Sequence, residues 1–179
     1  MSVLNEDLLV SLVDEFLEPL GCDSDFSSDF SYDPEDERVY FSIAVTERAD
    51  RLFKSYVKKT FHFDIPHIFM ISLLHEVGHF YTLHTFSKMR IETAHSAKDL
   101  IEEALKMDDD DEIYSLYFDL SIEKVATAWA VDYYRKNMKR CEDFYSKFEE
   151  TLKAEYERIG LTESVSPNYV RALLLKNNF

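Results

Sequence analysis

The chain has 179 residues, of which 46% are hydrophobic and 15% aromatic, and it carries a formal net charge of −15. This length and apolar content suffice for one domain over residues 1–179 and exclude disorder throughout. Three glycines and four prolines leave few tight turns, so a mostly α, α+β fold with little strand is expected. The charge argues against direct nucleic-acid binding, because phosphate contacts need clustered lysine and arginine.

The acidic charge is concentrated near the N-terminus, where residues 1–37 carry twelve acidic side chains and no basic one. A signal peptide would need a basic segment there. No stretch approaches the roughly eighteen uninterrupted apolar residues of a membrane-spanning helix. Two cysteines without CxxC spacing are typical of a reducing compartment. These features predict a cytoplasmic protein that does not contact a membrane.

The first elements are a helix, a polar stretch and a strand. Residues 5–17 predict a helix capped by Asn5, with one apolar face formed by Leu8, Leu9, Leu12, Val13, Phe16 and Leu17. Residues 18–37 are polar, and "DFSSDFSY" within them fits either a sheet edge or a loop. Residues 39–45, "VYFSIAV", alternate in a period of two and predict a strand with one face on the core.

Two helices are expected in the middle of the chain. The first runs from a Thr46 cap to about residue 60, with Leu52, Phe53, Tyr56 and Val57 facing inward. The second begins with Asp64 as N-cap and Pro66 in its first turn, and continues through "ISLLHEVGHFYTLH", residues 71–84.

The second half of the chain predicts further helices. Residues 87–112 contain a short helix, "AKDLIEEALKM", and a run of aspartates from Asp108 to Asp111. This run lacks the glycine and the ligand spacing of an EF-hand loop, so it predicts a solvated helix start without a metal. Later helices are expected at 113–138, at 141–158 before Gly160, and from Ser166 and Pro167 onward.

A possible metal site is indicated by His75, Glu76 and His79 in the second middle helix. Side chains four positions apart stand on the same helical face, so both histidines can direct a ring nitrogen at one ion. Glu76 is rotated by about 100° from His75 and can lie beside a water without being a ligand. Gly78 costs roughly 1 kcal/mol relative to alanine in a helix, but it allows another segment to approach closely.

A third ligand is required, because catalytic zinc sites use three protein ligands and one open position. Glu123 is the favoured candidate, since it shares a helical face with the small residues Ala126, Thr127 and Ala130. Trp129 would anchor the same segment. Asp119, one turn earlier, and Asp132, on another face, are competing carboxylates.

The two segments "LLHEVGHFYTLH" and "EKVATAWAVDYY" together resemble the gluzincin type of zincin metallopeptidase. In this type His-Glu-x-x-His is completed by a glutamate on a later helix. Within it the chain is most similar to the ImmA/IrrE family of bacterial and phage proteins, over residues 65–86 and 121–136 and more loosely over 39–45. The resemblance implies a zincin-like helical domain with a small sheet or hairpin beside the active-site helix, zinc held by His75, His79 and Glu123, and residues 87–112 as an insertion.

The function implied is hydrolysis of peptide bonds in a protein or peptide partner. Zinc lowers the pKa of bound water to about 7 and polarises the scissile carbonyl, so Glu76 need only transfer a proton as general base. The resemblance further implies that the strand at residues 39–45 holds the substrate in extended form. An oxyanion donor is also needed, and the sequence leaves four candidates open: Tyr81, His95, Tyr133 and Tyr134. His62, His67 and His84 are interpreted as packing or surface residues.

Two non-catalytic alternatives remain. One is a zincin fold that has kept its metal but lost its activity, which the intact Glu76 argues against. The other is an acidic binding or decoy protein that captures a basic partner and whose function would survive loss of His75 and His79.

Overall fold

The computed structural model describes residues 4–43, 47–107 and 111–160, with the backbone alone at Glu47. Over these residues the fold is mostly helical, with seven α-helices and three short strands, which confirms the mostly α, α+β prediction. The chain groups into two compact units, one from Met1–Glu47 with Arg135–Phe179 and the other from Arg48–Tyr134. One domain over residues 1–179 stays a prediction.

The first unit contains two long helices, α1 (Glu6–Leu17) and α7 (Met138–Arg158). Asn5 caps α1 as predicted, since its side chain accepts a hydrogen bond from the Leu8 amide. The predicted apolar face is buried except at Leu8, which is 38% exposed. Phe16 stacks on Phe144 of α7, with ring centroids 4.4 Å apart. Apolar burial between these helices forms the core of this unit.

Three strands complete the first unit: β1 (Asp23–Phe26), β2 (Ser31–Asp33) and β3 (Arg38–Phe41). The central strand β3 pairs in parallel with β1 and antiparallel with β2. The stretch that fitted either a sheet edge or a loop therefore contributes to two edge strands. The strand predicted over residues 39–45 is shorter than expected, and residues 44–46, including the predicted cap Thr46, lie outside the described residues.

The second unit begins with α2 (Glu47–Phe61) and α3 (Ile68–Thr82). In α2, Phe53, Tyr56 and Val57 are buried as predicted, whereas Leu52, also predicted to face inward, is half-buried. The predicted start of α3 is wrong, because the helix begins after Pro66 and has His67 at its N-cap position. Asp64 instead forms an exposed ion pair with Lys58 at 2.7 Å, so its carboxylate is drawn towards α2 rather than to the α3 amides.

Three more helices complete the second unit: α4 (Lys88–Met107), α5 (Asp111–Asp119) and α6 (Ser121–Lys136). Helix α4 is nearly twice as long as the eleven-residue segment predicted within 87–112. The single helix predicted over 113–138 is divided at Leu120, whose amide donates to the Tyr117 carbonyl in a tight turn. This break directs the start of α6 towards α3.

Residues 108–110 and the helix predicted from Ser166 lie outside the described residues. Within the described part, none of the helices combines the length and the apolar character that crossing a lipid bilayer requires.

Candidate metal centre

Helix α3 presents His75 and His79 from its buried face. It buries eleven of its fifteen residues, and both histidines are nearly inaccessible, at 5% and 8% exposed. Their rings lie 4.7 Å apart between centroids, as expected for residues four positions apart. Phe53 from α2 packs edge-on against His75 at 6.1 Å, and Phe118 from α5 does so at 6.5 Å. Aromatic side chains therefore shield this side of the site from water.

Gly78 sets the distance between α3 and α6. A Cβ atom at this position would lie 2.5 Å from the carbonyl oxygen of Ala126 and 3.0 Å from its Cα. Any side chain here would therefore overlap backbone atoms that cannot rotate away. Ala126 and Ala130 are fully buried on the facing side of α6. The expected close approach at Gly78 is confirmed, and it brings α6 near enough for its carboxylate to meet the histidines.

Glu123, in the first turn of α6, is brought together with the two histidines. Its Oε2 lies 3.0 Å from Nε2 of His75 and 3.3 Å from Nε2 of His79, and the two nitrogens are 3.2 Å apart. Bond lengths of about 2.0 to 2.2 Å to tetrahedral zinc imply ligand separations of roughly 3.3 to 3.6 Å. The observed distances fall within a few tenths of an ångström of this range. Two imidazoles and one carboxylate are also a donor set typical of catalytic zinc.

Thr127 determines which nitrogen of His75 faces the other two groups. Its hydroxyl donates to the Glu123 carbonyl at 2.9 Å, so its oxygen accepts from Nδ1 of His75 at 3.0 Å. Nδ1 of His75 can therefore keep its proton while Nε2 binds an ion, with the Nε2 lone pair directed towards His79 and Glu123. A hydrogen bond that fixes the tautomer in this way is common behind metal-binding histidines.

The charges within this cluster are strongly coupled. Burial opposes protonation of His75, but the hydrogen bond to Glu123 and the charge of Glu76 outweigh it and raise the pKa of His75. Burial alone would raise the pKa of Glu123, but hydrogen bonds from His75 and His79 outweigh it and hold that pKa well below its usual range. In the metal-free protein Glu123 is therefore ionised and accepts hydrogen bonds from the two histidines. A metal cation could replace the protons that lie between these groups.

The competing carboxylates lie elsewhere. Asp119 has a side chain that is 54% exposed and pairs with Lys124 at 3.1 Å. It also accepts a long hydrogen bond of 3.4 Å from the Tyr56 hydroxyl. Asp132 is exposed on α6. Among the described residues, the group close enough to hold an ion consists of His75, His79 and Glu123.

Glu76 is also buried, at 8% exposed, directly after His75 in α3. Its negative charge contributes to the raised pKa values of two groups at the site, His75 and Tyr117. The carboxylate is therefore within electrostatic reach of the cluster without being part of the three-ligand group.

The four proposed oxyanion donors have different surroundings. Tyr81 stacks on Trp129 with centroids 4.8 Å apart, and Trp129 stacks on Tyr133 at 5.2 Å, so these rings form a ladder across α3 and α6. Tyr134 is buried, with its ring 5.6 Å from that of Phe63. His95 lies exposed on α4.

Tyr117 on α5 was not singled out from the sequence. Burial, followed by the charges of Glu123 and Glu76, raises its pKa well above the usual value. The phenol is therefore protonated at neutral pH and lies within electrostatic reach of both carboxylates. The Nζ atom of Lys98, from α4, lies 5.1 Å from the centre of the Tyr117 ring. Tertiary packing brings these residues to the site, and their sequence spacing carries no signal of it.

The three remaining histidines lie apart from the cluster. His62 is exposed and has a positive φ of 51° in the connection after α2. His67 occupies the N-cap position of α3, and His84 is exposed in a short 3₁₀ helix, Leu83–Thr85. None of them belongs to the three-ligand group found in the described residues.

Comparisons with known proteins found no match, whether to a protein-family model, to a curated protein or to a solved structure.

Proposed function

We propose that this protein is a zinc-dependent metallopeptidase of the gluzincin type, similar to the ImmA/IrrE family, that hydrolyses peptide bonds in a protein partner. The observation that carries this proposal is the convergence of Nε2 of His75, Nε2 of His79 and Oε2 of Glu123, with Glu76 next in sequence to the first of them. The close packing at Gly78 and the buried hydrogen bond that Thr127 accepts from Nδ1 of His75 support it, because they hold α6 and the His75 ring in this geometry.

In this proposal the residues of the site have separate roles in metal binding and in proton transfer. His75, His79 and Glu123 hold the ion, and Thr127 keeps Nε2 of His75 free to bind it. Zinc, when bound, would polarise the scissile carbonyl and acidify a water molecule. Glu76 accepts a proton from the attacking water and passes it to the leaving amine. The oxyanion donor stays open among the four candidates from the sequence, and Tyr117, whose phenol is protonated, is a fifth.

Metal content is the first test. Protein purified without chelators, or titrated with zinc after dialysis, should bind close to one zinc ion per chain by elemental analysis. The double variant His75→Ala, His79→Ala should bind none at this site, because it removes two of three ligands. Absence of any transition metal from the wild-type protein, both as purified and after titration, would contradict the proposal.

The role of Glu76 is tested by the nearly isosteric variant Glu76→Gln. It should bind zinc normally but hydrolyse a denatured protein such as casein at least 10²-fold more slowly, since general-base catalysis contributes about 10² to 10⁴. Asp132→Asn removes an exposed carboxylate on α6 and should leave hydrolysis unchanged. Equal activity of Glu76→Gln and wild type would exclude the proposed mechanism.

A second candidate function is binding of a basic partner. It is favoured by the first unit, in which Asp14, Glu15, Glu18 and Asp23 line a cleft of about 480 Å³. Charge complementarity would accelerate association with a cationic surface. If this is the whole function, partner binding should survive in the His75→Ala, His79→Ala variant and should weaken as salt concentration rises.

A further inference from the structure

Tyr117, on α5, lies beside the candidate metal centre. It directly precedes Phe118, whose ring is 6.5 Å from that of His75, and the rings of Tyr117 and Phe118 meet edge-on at 5.0 Å. Burial, followed by the charges of Glu123 and Glu76, raises the pKa of Tyr117 well above its usual value. One of these carboxylates comes from α6 and the other from α3. The phenol is therefore within reach of the charges of both the proposed ligand and the proposed base.

Two polar groups beside the cluster have no partner in the part of the chain that the structure describes. The Tyr117 hydroxyl forms no hydrogen bond there, and it is not closed off from solvent. The Glu76 carboxylate, in a residue that is 8% exposed, likewise forms no hydrogen bond or ion pair within the described residues. Buried polar groups are nearly always paired, so both groups are suited to partners that arrive with a substrate. The protonated phenol is a donor, and the carboxylate is an acceptor.

Lys98, on α4, approaches Tyr117 rather than the acidic residue on its own helix. Glu102 lies four residues after Lys98, which is the spacing at which Lys88 pairs with Glu92 on the same helix. Lys98 forms no such ion pair with Glu102 among the described residues. Its Nζ atom lies instead 5.1 Å from the centre of the Tyr117 ring. The ammonium group is thus directed across α5 and is not neutralised on α4.

This position gives Lys98 two effects at the site. A cation over the face of an aromatic ring is attracted to it, so the contact helps to hold the Tyr117 ring in place. The positive charge also extends to the cluster, since burial and, more weakly, the charge of Lys98 act against the raised pKa of His75. An anion that forms at the cluster would therefore meet a hydrogen-bond donor from α5 and a positive charge from α4.

We propose that Tyr117 is the hydrogen-bond donor to the anion that develops on the substrate, and that Lys98 is a positioning residue that holds the Tyr117 ring and places a positive charge beside it. This inference rests on the proposed peptidase function and names two further residues for that reaction. Tyr117 keeps its proton throughout, and proton transfer stays with Glu76. Helix α4, within the segment that the family resemblance implies to be an insertion, thus contributes to the site.

The test measures binding of a tetrahedral anion, methylphosphonate, to protein loaded with cobalt(II), whose visible absorption responds to anions at the ion. Tyr117→Phe should load with cobalt normally but bind methylphosphonate about 10- to 100-fold more weakly, the effect of one hydrogen bond to a charged acceptor. Tyr114→Phe, the same change at a half-buried tyrosine nearly one turn earlier in α5, should bind it as wild type does. Circular dichroism checks that each variant is folded.

Lys98 gives a second arm at an exposed helix. Lys98→Met should weaken methylphosphonate binding about two- to fivefold, the effect of one cation–ring contact, and Lys98→Arg should restore it. Lys106→Met, in the last turn of α4, is the control and should have no effect. In casein hydrolysis by the zinc-loaded protein, Tyr117→Phe should lower kcat by about 10²-fold and leave KM within about twofold, because the hydrogen bond forms only as the anion develops.

The outcomes separate this inference from the peptidase function. Unchanged methylphosphonate binding in cobalt-loaded Tyr117→Phe, an equal loss in Tyr114→Phe, or no binding to wild type would overturn the role of Tyr117 and leave the metal centre in place. A loss in Tyr81→Phe or Tyr133→Phe instead would assign the donor to those residues. If binding depends on Tyr117 and Lys98 but no peptide bond is cleaved, the pair stands and the peptidase function fails. If wild-type protein binds no ion, both are wrong.

Discussion

Helix α3 buries eleven of its fifteen residues, whereas the twenty residues of α4 include a single buried one, Ala94. Both helices belong to the same unit. Helix α3 carries two proposed metal ligands and the proposed base, and it is fixed to α6 through Gly78. Helix α4 exposes Met89, Leu100 and Met107. The proposed metal chemistry, which needs fixed distances between ligands, thus lies on the buried helix rather than on the exposed one.

The largest expected effect is a loss of zinc affinity when Glu123, the proposed ligand from α6, is changed. Glu123→Gln keeps the shape of the side chain but removes the charge, so zinc affinity should fall by more than about 100-fold, beyond the 10- to 100-fold typical of groups behind the ligands. Competition with a chromogenic chelator would measure it. Asp119→Asn, the matched change at the competing carboxylate, should leave zinc affinity unaltered. A larger loss in Asp119→Asn than in Glu123→Gln would reassign the third ligand.

The next effect tests the close packing of α3 against α6. Gly78→Ala should lower the free energy of unfolding by about 1 to 3 kcal/mol, because the added Cβ overlaps the Ala126 carbonyl. Helix propensity alone would favour alanine by about 1 kcal/mol, so the sign of the change is informative. Urea titration measures it, with the exposed α4 substitution His95→Ala as control, expected within about 0.5 kcal/mol. A stabilised Gly78→Ala protein would mean that the two helices are not in this contact.

A smaller effect is expected at Thr127, which acts on the metal only through His75. Thr127→Val preserves shape but removes the oxygen that accepts from Nδ1, so zinc should bind about 10- to 100-fold more weakly. Imidazole ¹⁵N chemical shifts, recorded at a pH where His75 is neutral, should also show a mixture of His75 tautomers in the metal-free variant. Thr93→Val on α4 is the control. Unchanged shifts together with unchanged affinity would remove Thr127 from the site.

The smallest effect is predicted for the exposed apolar residues of α4. Leu100 is 67% exposed, so Leu100→Ala should change the free energy of unfolding by less than about 0.5 kcal/mol. Amide hydrogen exchange should likewise be faster along α4 than along α3, because few buried contacts oppose local opening. A loss above about 2 kcal/mol in Leu100→Ala would show that α4 is packed against a surface, and the contrast with α3 would fail.

Local rules account for what the sequence predicted correctly at the site. The helical period places His75 and His79 on one face, and the small residues around Glu123 indicated that α6 approaches another helix. The cost of Gly78 in a helix indicated that another segment approaches α3 closely, and in the structure this segment is α6. The mostly helical fold followed from the scarcity of glycine and proline. The predictions at the site depend on residues close together in sequence, and the fold class depends on composition.

The features of the site that could not be predicted depend on residues that are far apart along the sequence. The aromatic wall from Phe53 and Phe118, and the position of Tyr117, are set by the packing of α2 and α5 around α3. The division at Leu120 was missed because no glycine or proline marks it. The start of α3 was predicted wrongly because Asp64 was expected to cap the α3 amides. Its carboxylate pairs with Lys58 instead. The paired histidines were thus predictable, whereas the groups that surround them required the fold.

The aromatic ladder of Tyr81, Trp129 and Tyr133 gives this protein a built-in optical probe. Trp129 is the one tryptophan in the chain, and it stacks on a tyrosine from α3 on one side and on a tyrosine from its own helix on the other. Its fluorescence can be excited selectively, so the emission reports on the α3–α6 pair alone. Displacement of α6 and loss of the helix contact can therefore each be followed in unlabelled protein, in real time.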